Sequence, residues 1–181
     1  MISKRTLLIG FGGLVCLPGA RPARAALPPI SMARHEQAMR LAIAQGRRNP
    51  YWPFGAVIVR ADTGEVMAEG VNSHDNPVLH GEIVCINDYV ARHGNKGWAD
   101  MVLYTTCEPC PMCITALIWA HIGGVVFGTG NFDGLAKAGL DAIKISARDV
   151  IDATPFGPKP MLLGGVLAAE TDAMFLNRKR Y

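Results

Sequence analysis

Met101-Val102-Leu103-Tyr104-Thr105-Thr106-Cys107-Glu108-Pro109-Cys110-Pro111-Met112-Cys113 is the stretch on which the reading of this chain turns. Residues 101–106 predict a strand. Pro111 then falls where the first turn of a helix tolerates proline, because its missing N–H would have had no partner there. That helix is expected to run to about residue 121, so strand, turn and helix follow one another within some twenty residues.

Working outward, His80-Gly81-Glu82 opens a second predicted helix, which Gly94 stops. Upstream of it, residues 54–59 form a continuous apolar run of the kind found in buried strands. Asp62-Thr63-Gly64 turns the chain, and residues 65–71 return as the second arm of a hairpin. Before the hairpin, Ser31 caps a helix with Met32, His35, Met39, Ala42 and Ile43 on one face. Downstream lie a strand over 124–128, a glycine-bearing loop over 129–141 that contains Asp133, and a short helix near 148–151. A strand over 161–167 and an amphipathic helix from 169 to 181 complete the chain. The order predicts one α/β domain over residues 26–181, a three-layer α/β/α sandwich around a central mixed five-stranded sheet.

The two helix starts carry the chemistry. Cys110 and Cys113 are three residues apart, so their sulfurs share a face, and a helix N-terminus stabilises thiolates. With one nitrogen of His80 they make three zinc ligands and leave the fourth tetrahedral position to water, as in a catalytic site. Glu82 stands two residues beyond His80, free to move protons for that water. The rival arrangement is a closed structural site in which Cys107 is a fourth ligand. Against it, Cys107 ends the strand, Pro109 intervenes before the helix, and Glu82 would have no task. Cys85 reads as a buried apolar filler.

Together, His-x-Glu and Pro-Cys-x-x-Cys match the signature of zinc base deaminases. From Ser31 onward the chain resembles the cytidine deaminase superfamily. Thr106-Cys107-Glu108-Pro109-Cys110-Pro111-Met112-Cys113, Phe54-Gly55-Ala56-Val57 and Asn72 resemble the branch that holds bacterial guanine deaminases and tRNA adenosine deaminases. The resemblance implies zinc on His80, Cys110 and Cys113, Glu82 as proton shuttle, Asn72 on the substrate, and a homodimer. It further implies Trp119 lining a base pocket, Asp133 accepting hydrogen bonds from a guanine edge, and Tyr181 closing the pocket of the partner subunit. Two features depart from that branch. The spacing from Asn72 to His80 is about three residues short, and His80-Gly81-Glu82-Ile83 resembles fungal cytosine deaminase.

Charge and composition bound the partners. The chain has 181 residues, half of them apolar, and a formal charge of +3. Lys4, Arg5, Arg21 and Arg24 lie in the first 25 residues, which hold no acid, so residues 26–181 carry a formal −1. A broad phosphate-binding face is not implied, and Arg178-Lys179-Arg180 reads as a solvated helix end. Residues 1–25 read as an export signal: a basic start, an apolar run over 7–17, a Pro18-Gly19 break and an Ala23-Arg24-Ala25 cleavage site. Ser3-Lys4-Arg5-Thr6-Leu7-Leu8 resembles a twin-arginine signal with Lys in place of the first Arg, and the general secretory route fits as well. The run is too short to span a bilayer, which takes ~20 residues. The expected protein is a periplasmic or secreted zinc aminohydrolase in which zinc-bound hydroxide attacks the amino-bearing carbon of a free base. Guanine is the first expectation, and cytosine or a related aminopyrimidine the second. A tRNA-specific adenosine deaminase and a non-catalytic zinc module are the rivals.

Overall fold

The computed structural model describes residues 27–155 and 157–180; the expected export signal over 1–25 and Tyr181 lie outside the described residues. Helix α1 (Met32–Gly46) starts where Ser31 Oγ accepts the N–H of Arg34. It is followed by β1 (Gly55–Arg60), β2 (Val66–Val71), α2 (Gly81–His93), β3 (Met101–Cys107), α3 (Pro111–Trp119) and β4 (Gly124–Thr129). Helix α4 (Asp133–Lys137), helix α5 (Ala147–Ala153), strand β5 (Met161–Leu163) and helix α6 (Ala168–Leu176) complete the fold.

The five strands form one sheet in the order β2-β1-β3-β4-β5. β1 runs antiparallel to β2 and β3, and β3, β4 and β5 are mutually parallel. The period-2 alternation of side chains divides the core in two. Ala56, Ile58, Leu103 and Val125 pack with Cys85, Tyr89, Ile114, Leu117 and Ile151 from α2, α3 and α5. Val57, Val59, Val102, Tyr104 and Val126 pack instead with Ala38, Met39, Ala42 and Ile43 of α1. Helices therefore cover both faces of a mixed sheet, as the element order predicts.

Three details differ from the expected elements. The loop over 129–141 contains the short helix α4, whose inward residue Leu135 packs with Phe175. β5 stops at Leu163 because the chain turns at Gly164-Gly165, where Gly165 adopts φ +82 and Leu167 φ +53. α6 ends at Leu176, with the amide of Asn177 donating to Ala173. Among the described residues no helix is long and apolar enough to cross a membrane.

Candidate metal centre and substrate cavity

Two helix N-termini meet at the carboxyl end of β3. His80 is the N-cap residue of α2 and Cys110 that of α3, both with extended backbone. Neither side chain caps its own helix, which leaves the imidazole and the thiol directed at each other. Cys110 Sγ lies 3.7 Å from Cys113 Sγ, and each sulfur is 3.6 Å from His80 Nδ1. A tetrahedral zinc, at ~2.3 Å from sulfur and ~2.0–2.1 Å from nitrogen, holds its ligands roughly 3.5–3.8 Å apart. The cradle therefore has the dimensions of three corners of a zinc tetrahedron.

Its electrostatics suit a cation. Hydrogen bonding from Cys113 and His80 holds the Cys110 thiol down to about 4, so its sulfur is a thiolate at neutral pH. Cys113 keeps the proton the two sulfurs share and is pushed up, with burial adding to the effect. The bond to Cys110 raises His80, against its partial burial. Cys107 is different: burial pushes its thiol well up, and it is not among the three residues whose ligand atoms converge. It packs with Leu135, Ala138 and Phe175.

Glu82 is 3 % exposed, in the first turn of α2, and burial raises its carboxyl above the ordinary range. Thr105 Oγ1 donates to its Oε1 at 3.2 Å. Thr105 shares the α2-facing side of β3 with Leu103, and Thr106 points the other way, bridging Pro53 O and Gly55 N–H. Gly81 lets α2 approach β1 closely: a β-carbon there would lie 2.5 Å from the carbonyl oxygen of Phe54. The Phe54 ring lies nearly parallel to the His80 imidazole, 14° between planes.

His80, Glu82 and Cys110 line a cavity of about 280 Å³. Phe54, Leu135, Ala142 and Ile143 supply apolar wall, and Glu108, Asn131 and Asp141 the polar groups. A mostly apolar recess with a few convergent polar groups is the common form of a small-molecule site.

A family profile, the cytidine and deoxycytidylate deaminase zinc-binding region, matches residues 32–129, which include His80, Glu82, Cys110 and Cys113. The chain belongs to that family. It is 40% identical over 92 residues to guanine deaminase of Bacillus subtilis, covering 49% of this chain and 57% of that protein. To a tRNA-specific adenosine deaminase of Streptococcus pyogenes it is 37% identical over 82 residues, covering 44% of this chain and 50% of that protein. The chain thus spans about half the length of these curated relatives. A solved structure of guanine deaminase from Bacillus subtilis aligns with a TM-score of 0.54 at 35% identity, over 60% of this chain and 71% of that one. With the zinc-binding family and the cradle in agreement, zinc is the metal, and His80, Cys110 and Cys113 would hold it.

Within this deaminase fold, the residues expected on the substrate do not all reach the cavity. His80 and Glu82 line it, and Cys113 lies just behind Cys110. Asn72 does not line it; its Nδ2 donates to Ser73 O, and its backbone carbonyl accepts from Asn49 Nδ2. Asp133 is an exposed residue at the start of α4, turned away because Leu135 takes the inward face; the aspartate on the cavity is Asp141. Trp119 is 67 % exposed at the far end of α3, whose buried face belongs to Cys113, Ile114, Leu117 and Ile118. Thr105, Glu108, Asn131 and Asp141 were not singled out from sequence. Strand parity with Leu103 was the available signal for Thr105; for the other three the contacts are long-range and left no local mark.

Proposed function

We propose that this protein hydrolytically deaminates a free nucleobase, guanine to xanthine first. The observation that carries the reading is the buried carboxylate of Glu82 lining a cavity beside the three-atom zinc cradle. A bound zinc would supply the Lewis acidity that makes water a nucleophile at neutral pH.

The chain's own groups do the rest. Water adds to the amino-bearing carbon, the carbon–nitrogen bond breaks, and the products are the oxo base and ammonia. Glu82, with its proton affinity raised by burial, takes a proton from the attacking water. It passes protons to the adjacent ring nitrogen and to the departing amine. Thr105 fixes the rotamer of that carboxylate through its hydroxyl. The free N–H groups at the start of α3 favour the negative charge that develops beside Cys110. The apolar wall lowers the dielectric around these groups, which strengthens each of these interactions.

Guanine is favoured by the relative at 40% identity and by a cavity carboxylate, Asp141, able to accept from the N–H groups of a guanine edge. An unpaired carboxylate there would penalise bases without such donors. A tRNA-specific activity has relatives at 37% identity in its favour and a near-neutral charge over residues 26–181 against it. A homodimer belongs to the same proposal. Met112 and Trp119 are exposed apolar residues on α3, whose one polar side chain is Thr115, and a helix so largely apolar is commonly covered. A second copy on that face would bring Trp119 toward a neighbouring site. Export by the segment over 1–25 is proposed with it, tested by fractionating cells that express the full chain.

The deciding experiment is ammonia release from guanine, cytosine, adenine and adenosine by zinc-loaded protein. Turnover of guanine with the highest kcat/KM is the expected result; turnover of none removes the reading.

A further inference from the structure

The cavity has one wall that comes from a single segment, and that segment is tied down at both ends by one carboxylate. Glu108 Oε2 accepts the backbone N–H of Asn131 at 3.1 Å, and its Oε1 accepts that of Ala147 at 2.9 Å. The backbone N–H of Glu108 in turn donates to Thr129 O at 2.7 Å. Between the two anchored amides lie Leu135, Asp141, Ala142 and Ile143, all on the cavity. Leu135 and Ala138 hold the first half of the span against Phe175, whereas Asp141 and Ile143 are exposed and residues 141–146 belong to no helix or strand, so the half next to the second anchor has little packing of its own.

The group at the first anchor faces an unmet need. Asn131 is 3 % exposed, lines the cavity, and its Nδ2 has no hydrogen-bond partner. A buried amide without a partner is unfavourable by about 1–3 kcal/mol, and a bound molecule with an acceptor edge would relieve it. The second anchor fixes the first residue of α5, a helix already capped by Ser146 and Asp149. Glu108 itself stands on the turn between Cys107 and Cys110, within the metal-binding run.

We infer that Glu108 is a positioning residue: it hangs the substrate-facing wall, at Asn131 and at Ala147, from the turn that carries Cys110, so that zinc loading and the shape of the base pocket are coupled. Its two oxygens serve two different segments, so neither is spare for substrate or metal. The inference rests on the cavity being the base site proposed above, but its primary test does not.

That test is amide hydrogen exchange on the zinc-loaded full chain. In the wild type the amides of Asn131 and Ala147 exchange slowly, and removing zinc with a chelator speeds both together. Glu108→Gln keeps the shape but offers one oxygen and one N–H₂, so at least one backbone N–H loses its acceptor. It should bind one zinc per chain, lose protection at one or both amides, and raise KM about tenfold with a smaller change in kcat. Ala147→Pro supplies a second probe. It removes one donor at the first helical position, where proline is tolerated, and leaves Glu108 untouched. It should reproduce part of the KM rise with zinc retained. Unchanged protection at both amides in Glu108→Gln, or protection that ignores zinc removal, overturns the inference. Lost protection in a protein that turns over none of the four bases would sustain this coupling while removing the activity reading. If Glu108→Gln does not fold, Ala147→Pro, which has no amide of its own at 147, decides through KM and through whether zinc removal still speeds exchange at Asn131.

Discussion

The carbonyl oxygen of Phe54 occupies the space that a β-carbon on Gly81 would need, 2.5 Å from its ideal position. This contact sets how close α2 comes to β1, and through it where His80 and Glu82 stand relative to Cys110. The obstructing atom is backbone, so it cannot swing aside as a side chain would. Gly81→Ala must therefore push the start of α2 outward, at about 1–3 kcal/mol for overpacking. The variant is expected to melt lower and to bind zinc more weakly, because His80 is the residue directly before the displaced one. Unaltered zinc affinity, measured by competition with a chromophoric chelator, would show that α2 moves as a rigid body with its ligand.

Cys107 is the sulfur that separates an open site from a closed one. It ends β3 among Leu135, Ala138 and Phe175, with its thiol kept protonated by burial. Cys107→Ser should therefore retain one zinc per chain, whereas Cys110→Ser and Cys113→Ser should lose it. The serine variant is expected to be destabilised by about 1–3 kcal/mol, since it buries a hydroxyl in apolar surroundings. Loss of zinc from Cys107→Ser, read by metal analysis, would make the site a structural one.

The metal ligands and Glu82 were legible in the sequence because each is fixed by local geometry. Cys110 and Cys113 share a face of one helix start, and His80 and Glu82 are joined by a single glycine. The layers of the fold were legible for a similar reason, since apolar runs and turn residues repeat at strand and helix periods. What lines the cavity was not. Asp133 and Asp141 occupy the same glycine-bearing stretch, and only the packing of Leu135 on Phe175 decides which of them faces inward. Glu108 makes its two anchoring bonds to residues 23 and 39 positions away, a separation at which sequence spacing carries no signal. β5 ended early because two adjacent glycines broke an apolar run that otherwise reads as a strand.

A pH dependence of stability comes from the opposite face of the sheet. His35 Nδ1 and the Tyr104 hydroxyl are 3.0 Å apart and buried. Burial, with Arg34 nearby, lowers His35, and burial raises Tyr104 to about 12. Below pH ~6.5 the unfolded histidine binds more protons than the folded one, so this contribution is present above that value and lost as pH falls through the lowered folded value. Above pH ~10 the unfolded tyrosine ionises while the folded one does not, so its contribution is lost as pH rises toward 12. Urea unfolding of wild type and Tyr104→Phe should therefore differ most near neutral pH, with the gap narrowing above pH ~10. A constant gap from pH 8 to 11.5 would show that Tyr104 ionises equally in both states.

Glu82 and Thr105 allow the chemistry to be separated from the metal. The carboxylate is not one of the three converging ligands, and Thr105 donates to it from β3. Glu82→Gln keeps the volume and removes the group that exchanges protons, so kcat should fall by roughly 10²–10⁴ with one zinc still bound. Thr105→Val keeps the carboxylate but frees its rotamer, and a loss of about tenfold is expected from one hydrogen bond to a charged group. In the double variant Thr105→Val should add little, because the hydroxyl acts only through the carboxylate that is already gone. Single-turnover rates on the best base, measured beside zinc content for all four proteins, test the pair. Full activity in Glu82→Gln would show that the proton transfers do not pass through this carboxylate.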